Sequence, residues 1–299
     1  MVRSSSAGLF ARRIGVVSTV VLLAACGAPK SDSSSSTSSS AAGSDTSAAA
    51  SCDKASLKTK TAGKLTIGTD NPAYEPWFSD NTPSNGKGYE SAVAYAIAQE
   101  LGYTKAEVVW AKVPFNNVIT PGPKAFDLDL NQVSISEDRR KAVDFSSGYY
   151  DVTQVVITYK GSPIDGKTTV ADLKNAKLGA QVGTTSYTAL KDQIKPSKDP
   201  SVFDTNDLAV QALKSHQVDG IVVDLPTAFY MTAAQMDDKG AIVGQLPAAD
   251  KPEQFGAVLP KGSALTGCVT KAVDALRSKG TLTQLADEWL SKQGAPKLS

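Results

Sequence analysis

The sequence predicts an α/β protein with open sheets, arranged as two lobes. Short β-type runs alternate with helical ones from about residue 57 to the end, the pattern of sheets flanked by helices. The folded part is about 240 residues long, enough for two separate cores. A second series of strand and helix signals begins near Gln154, after the first has run its course.

The first run, Lys64–Thr69, alternates apolar and polar residues with period two. A helix follows over Ser91–Leu101, with Val93, Ala96, Ile97 and Leu101 on one face and Gly102 as its stop. Glu107–Trp110 reads as the next strand, and a Pro/Gly-rich break at 120–123 precedes the run Phe126–Leu130. The second series has a strand over Gln154–Tyr159, a helix over 168–176, a strand over Leu178–Val182, a helix opening at Gly183-Thr-Thr185, and a last strand over Gly220–Val223. A β-run at Phe255–Leu259 precedes two amphipathic helices, one carrying Leu265, Val269, Val273 and Leu276, the other Leu282, Leu285, Trp289 and Leu290. Periodicity leaves open which lobe these last elements join.

The N-terminus sets the compartment. Arg3, Arg12 and Arg13 precede an apolar run, Ile14–Ala25, that is too short to span a bilayer, which is the layout of a signal peptide. The run ends in Leu23-Ala24-Ala25-Cys26, which is similar to the lipobox of bacterial lipoproteins. That resemblance implies cleavage after residue 25, diacylglycerol on Cys26 and a place on the outer face of the cell membrane; a plainly cleaved signal is the alternative. The Arg12-Arg13 pair leaves Sec and twin-arginine export both open. Residues 31–51 consist only of Ser, Thr, Ala, Gly and Asp, a composition that cannot offset the entropy of ordering, so 26–56 is expected to be a lipidated, disordered linker.

Removing the signal changes the formal charge from +1 to −2, with 28 basic against 30 acidic residues. Neither balance, and no basic stripe, points to nucleic acid. One histidine and three cysteines give no set of ligands for a transition metal, and no cofactor motif appears. With Cys26 assigned to lipid, Cys52 and Cys268 remain as a pair in an oxidising compartment. A disulfide between them is expected, two free thiols being the alternative.

From Lys64 onwards the chain resembles the polar-amino-acid-binding proteins of ABC importers, extracellular solute-binding family 3. The segment Ser134-Ile-Ser-Glu-Asp-Arg-Arg-Lys-Ala-Val-Asp-Phe-Ser-Ser-Gly-Tyr-Tyr150 carries most of the likeness. Gly68-Thr-Asp70 with Tyr74-Glu-Pro-Trp77, Gly183-Thr-Thr185 and Val218–Asp224 follow in the family's order. The resemblance implies a two-lobed fold of the type II periplasmic-binding-protein kind, with two chain crossovers near 151–154 and 252–255. Lobe 1 would comprise 57–152 plus 254–299, and lobe 2 residues 153–253. It further implies a monomer that closes over one amino acid and docks on a membrane permease.

An α-amino acid needs a planar cation for its carboxylate and an anion for its ammonium. Arg139 can grip two carboxylate oxygens at once, as a lysine cannot, and Asp224 is the matching acid. A solvated charge run at 139–141 and helix capping at Asp224 are the structural alternatives, and the resemblance favours the site. It also places Ser134 and Thr185 on the ligand's carboxylate, Tyr74, Trp77 and Phe115 beside its side chain, and Asp70 near its distal end. The spacing between Asp70 and Tyr74 is one residue longer than the family's. The run Asp127–Gln132 carries Asp129, Asn131 and Gln132 where the family has an apolar run ending in glycine, so some of these, Gln132 among them, are expected to face the cleft.

The expected function is therefore capture for import without catalysis. A cyclohexadienyl dehydratase-like enzyme and a ligand-sensing module on the same fold are the alternatives. No histidine falls at the matched cleft positions to serve as acid or base; His216 belongs to a helix end.

Overall fold

The computed structural model describes residues 51–248, 251–290 and 294–299. The expected signal peptide, Cys26 and most of the linker lie outside these residues. Ten strands form two five-stranded mixed sheets. In chain order the strands are β1 (Leu65–Thr69), β2 (Val108–Lys112), β3 (Leu128–Asp129), β4 (Val143–Val152), β5 (Gln154–Tyr159), β6 (Leu178–Gln181), β7 (Ser201–Phe203), β8 (Gly220–Asp224), β9 (Gly240–Gln245) and β10 (Glu253–Pro260). The helices are α1 (Tyr89–Glu100), α2 (Phe115–Ile119), α3 (Glu137–Arg140), α4 (Thr185–Ala189), α5 (Asn206–Lys214), α6 (Leu225–Tyr230), α7 (Thr266–Ser278) and α8 (Thr281–Trp289).

The first sheet has the order β2-β1-β3-β10-β4 and the second β7-β6-β8-β5-β9. In the first, β1 pairs in parallel with β2 and β3, while β10 runs antiparallel to β3 and β4. In the second, β6 is parallel to β7 and β8, and β5 is antiparallel to β8 and β9. Each sheet is buried on both faces, which explains the continuous apolar runs. On one face of the first sheet Leu65, Ile67, Leu128 and Leu130 pack with α1, α7 and α8. The other face packs Val113, Phe126, Val133 and Phe145. The second sheet is covered by two further clusters, around Leu190 and Val222 and around Leu213 and Ile221.

One residue, Thr153, separates β4 in the first sheet from β5 in the second, and the chain returns ahead of Glu253, the first residue of β10. Two expectations about extent are corrected. Residues 52–56, assigned to the linker, belong to the folded body: Cys52 is bonded to Cys268 on α7, Lys54–Ser56 forms a turn of 3-10 helix, and Lys54 pairs with Glu107 at 2.6 Å. The small polar composition that marks the linker ends at Ser51, ahead of these residues. The C-terminal tail does not stay in lobe 1. After Leu290, buried with α1 and α7, residues 294–299 pack on the second sheet. There Lys297 bridges Gln245 in parallel, Leu298 is buried against Val243 and Leu246, and the Ser299 backbone bonds Thr168 and Val170. A single leucine with a buried slot and open backbone groups on β9 decide this, and neither shows in periodicity.

Local differences have similar causes. The helix expected over 168–176 is a short 3-10 turn, Val170–Leu173, capped by Thr169. Strands β7 and β9 carried too little β-signal to be foreseen, and β3 is only two residues long.

The Cys52–Cys268 bond spans 216 positions. Closing so long a loop stabilises mainly by restricting the unfolded chain. Replacing both cysteines with serine is expected to lower stability by about 3 kcal/mol. Chemical denaturation checks this; an unchanged midpoint would show that the bond restrains nothing in the unfolded chain.

Candidate functional site

The cleft between the two sheets is lined from both sides by residues that directly follow parallel strands. Asp70 follows β1, Asn131 and Gln132 follow β3, Thr184 and Thr185 follow β6, and Asp224 ends β8. Such strand ends are where open α/β sheets place ligands, because the chain must leave the sheet there and exposes side chains and amides.

Arg139 and Asp224 both line this cleft. Ser136 caps the short helix α3, accepting from the Arg139 amide at 3.2 Å, and so sets the direction of the arginine side chain. The guanidinium lies 5.6 Å over the Phe115 ring. It donates to the Ser134 carbonyl at 2.6 Å in its own lobe and to the Gly183 carbonyl at 2.8 Å in the other. Burial lowers its pKa, opposed by the nearby Glu253 and Asp224. Gly183 has φ of 72°, so its carbonyl points to Arg139 through a backbone turn that a side chain would strain. Two of five N–H groups are spent on these carbonyls, which leaves three.

Asp224 sits where the lobes hinge. Gln154, the first residue of β5, donates to Asp224 Oδ1 at 2.8 Å and to both oxygens of Glu253 at 3.1 and 3.2 Å. Ser186 in turn donates to Gln154 Oε1 at 2.7 Å, which orients the amide. Desolvation pushes the Asp224 carboxyl up to about 8, and repulsion from Glu253 adds to the rise; the Gln154 bond and Arg139 oppose it. With only protein groups around it, burial and Glu253 favour the protonated form of this carboxyl. A cation brought against it favours the ionised form.

Ser134 and Thr185 meet across the cleft, their hydroxyls 3.2 Å apart. Both also donate to Glu253, Thr185 at 2.5 Å. A hydroxyl has one proton to give, so while Glu253 holds them these two residues have only their backbone amides to offer a carboxylate. Glu253 thus governs two residues expected at the site. It escaped notice in the sequence because a lone acid before a strand carries no signal.

At the far end of the cleft lie Asp70, Tyr74 and Asn131. Asp70 accepts from the Asn71 amide at 2.7 Å, and burial raises its pKa. Burial raises the Tyr74 pKa, and the negative charge of Asp207 on α5 in the opposite lobe adds to the rise. The extra residue between Asp70 and Tyr74 does not take Asp70 out of the cleft.

One expected contact is corrected. Trp77 is fully buried among Tyr89, Tyr150 and Phe255, and only its indole N–H reaches outward, donating to Thr227 of the other lobe at 3.0 Å. It is a core residue that contacts the opposite lobe, and it does not line the cleft. Gln132 lines the cleft, but its side-chain amide and its backbone N–H both donate to the buried Glu90, which fixes the backbone there at φ of 49°. His216 stands outside it, stacked on Tyr159 at 4.0 Å.

A two-lobed α/β fold with a polar, hinge-centred cleft defines a solute-binding protein of the type II periplasmic kind. Residues 65–292 match the model of the bacterial extracellular solute-binding proteins, family 3, and the chain belongs to that family. It therefore acts outside the cytoplasm. Among its relatives, the arginine-binding extracellular protein ArtP of Bacillus subtilis is 27% identical over 81% of this chain and 92% of its own length. The L-cystine-binding protein TcyJ of Escherichia coli is also 27% identical, over 78% of this chain and 84% of its own. A solved ancestral arginine-binding protein, bound to arginine, superposes with a TM-score of 0.64 at 29% identity, covering 77% of this chain and 99% of that one. Equal identity to binders of different ligands means that overall likeness does not choose among them.

Proposed function

We propose that this protein captures a polar amino acid in its cleft and delivers it to an ABC permease from a lipid anchor on the outer face of the membrane. The observation that carries this reading is the placement of Arg139 and Asp224, one from each lobe, on one small cleft. A guanidinium and a carboxyl facing one another match the carboxylate and ammonium of a single zwitterion. Relatives named for arginine and cystine binding agree with that chemistry.

Closure follows from the same pair. Bringing the lobes together without a cation buries Asp224 beside Glu253, which desolvation and repulsion oppose. An amino acid supplies the ammonium that offsets both effects and so shifts the population towards the closed form. The bonds from Arg139 to Gly183 and from Trp77 to Thr227 then hold the lobes. Two closed lobes present a joint surface to a permease, and a monomer suffices for the cycle. Relatives named as binding proteins support binding without chemistry as the reading of this site.

The test is thermal-shift screening of the mature protein against the twenty amino acids. A ligand present at 100 times its Kd stabilises the folded form by about 2.7 kcal/mol, a rise of several degrees in Tm. No shift with any of them, alongside a shift with a non-amino-acid solute, would remove the proposal.

A further inference from the structure

Behind the cleft residues Asp70 and Asn131 lies a buried carboxyl that the binding of an α-amino and α-carboxyl group leaves unused. Asp129 on β3 is completely buried, and neither of its carboxyl oxygens has a hydrogen-bond partner among the described residues. Leaving such a group unsatisfied is costly, and a folded protein retains few of them. Its position is made by Gly68, its register partner on β1: a Cβ on Gly68 would lie 2.4 Å from Asp129 Oδ2. The strands are parallel and side chains alternate, so Asp70 and Asn131 stand one step further along the same face, where they line the cleft. Asn131 is itself only 3% exposed, and its Nδ2 has no partner. Two unsatisfied polar side chains therefore stand in file at this end, one opening on the cleft and one behind it.

We infer that Asp129 is a specificity-determining residue that favours a ligand with a positively charged side chain, acting through space from behind Asp70 and Asn131. The inference rests on the reading of this cleft as an amino-acid site. The charges around Asp129 support it. Glu90 on α1 and Asp70 repel its ionised form, and burial raises its pKa well above the usual carboxyl range. The one nearby cation is Lys124, whose ammonium is bound to the carbonyls of Asn117 and Thr120 and forms no ion pair among the described residues. A cationic group arriving at Asp70 makes the ionised form of Asp129 favourable, whereas a neutral amide does not. The site thus answers to charge at the end of the ligand's side chain, and not to its length alone.

The experiment compares L-arginine, L-lysine and L-ornithine with L-glutamine and L-asparagine by calorimetry, on the wild type and on Asp129→Asn. The wild type should bind at least one cationic amino acid ten times more tightly than glutamine, and the variant should lower that ratio at least tenfold with Tm retained. A second variant, Asp129→Leu, should give the same loss of discrimination, since it removes the charge without leaving an amide. If Asp129 serves only to balance Lys124, both variants will lower Tm and leave the ratio unchanged, which overturns the inference. A wild type that prefers a neutral amino acid also overturns it while sparing the amino-acid site. Failure of every amino acid to bind defeats the underlying reading.

Discussion

Replacing Arg139 with alanine is expected to weaken amino-acid binding about 1,000-fold, or about 4 kcal/mol, while the protein still folds. The magnitude is that of removing one partner from a buried, hydrogen-bonded charge pair, where the remaining charge is left uncompensated. In the proposed binding mode Arg139 meets the ligand carboxylate, and it bonds the Gly183 carbonyl across the cleft, so its loss would remove a ligand contact and a closing contact together. Its fold-wide role is small, because it sits on a four-residue helix outside the apolar clusters. Lysine at 139 should recover little, since one ammonium cannot span both carboxylate oxygens. Calorimetry with circular dichroism checks both halves. Unchanged affinity in a folded Arg139→Ala protein would withdraw the arginine from the site.

Binding should also become tighter as pH rises towards 8. The sign comes from Asp224, whose carboxyl stands at about 8 in the protein against an ordinary value near 4. Because that pKa is raised, the protonated form is the favoured one. The protein's own stabilisation from it is complete at low pH and declines as pH rises through this window. A ligand ammonium reverses the preference, so below about 8 each binding event releases close to one proton. Affinity then gains up to about tenfold per pH unit between pH 6 and 8 and levels off above. Calorimetry in buffers of different ionisation enthalpy counts the protons directly. Asp224→Asn should flatten the profile and weaken binding by about 3 kcal/mol, yet leave the fold as stable or more so, since a buried acid beside Glu253 is removed. A flat wild-type profile would mean that Asp224 meets the ligand already ionised.

Much of this architecture was legible in the chain. Strands such as β1 and β5 declared themselves through composition, and helix α1 through its apolar face and the glycine that follows it. The site was legible where charge chemistry needs a particular side chain: a guanidinium at 139 and an acid at 224 are hard to replace. It was less legible at Trp77, because a tryptophan near a cleft and one in a core have the same sequence signature. Whether the ring is exposed depends on Tyr89, Tyr150 and Phe255, which arrive from three other segments.

The sequence by itself determined that the folded part of this protein is α/β in two lobes and that its family is the extracellular solute-binding one. Those properties rest on local composition and on motifs contained within single segments. Only the tertiary structure decided that Glu253 governs Ser134 and Thr185, that the last six residues belong to the second sheet, and that Asp129 lies unpaired behind the cleft. Each depends on groups far apart in the chain meeting at a distance of a few ångströms. A hydrogen bond or a buried charge is a property of that meeting, and no window along the sequence contains it.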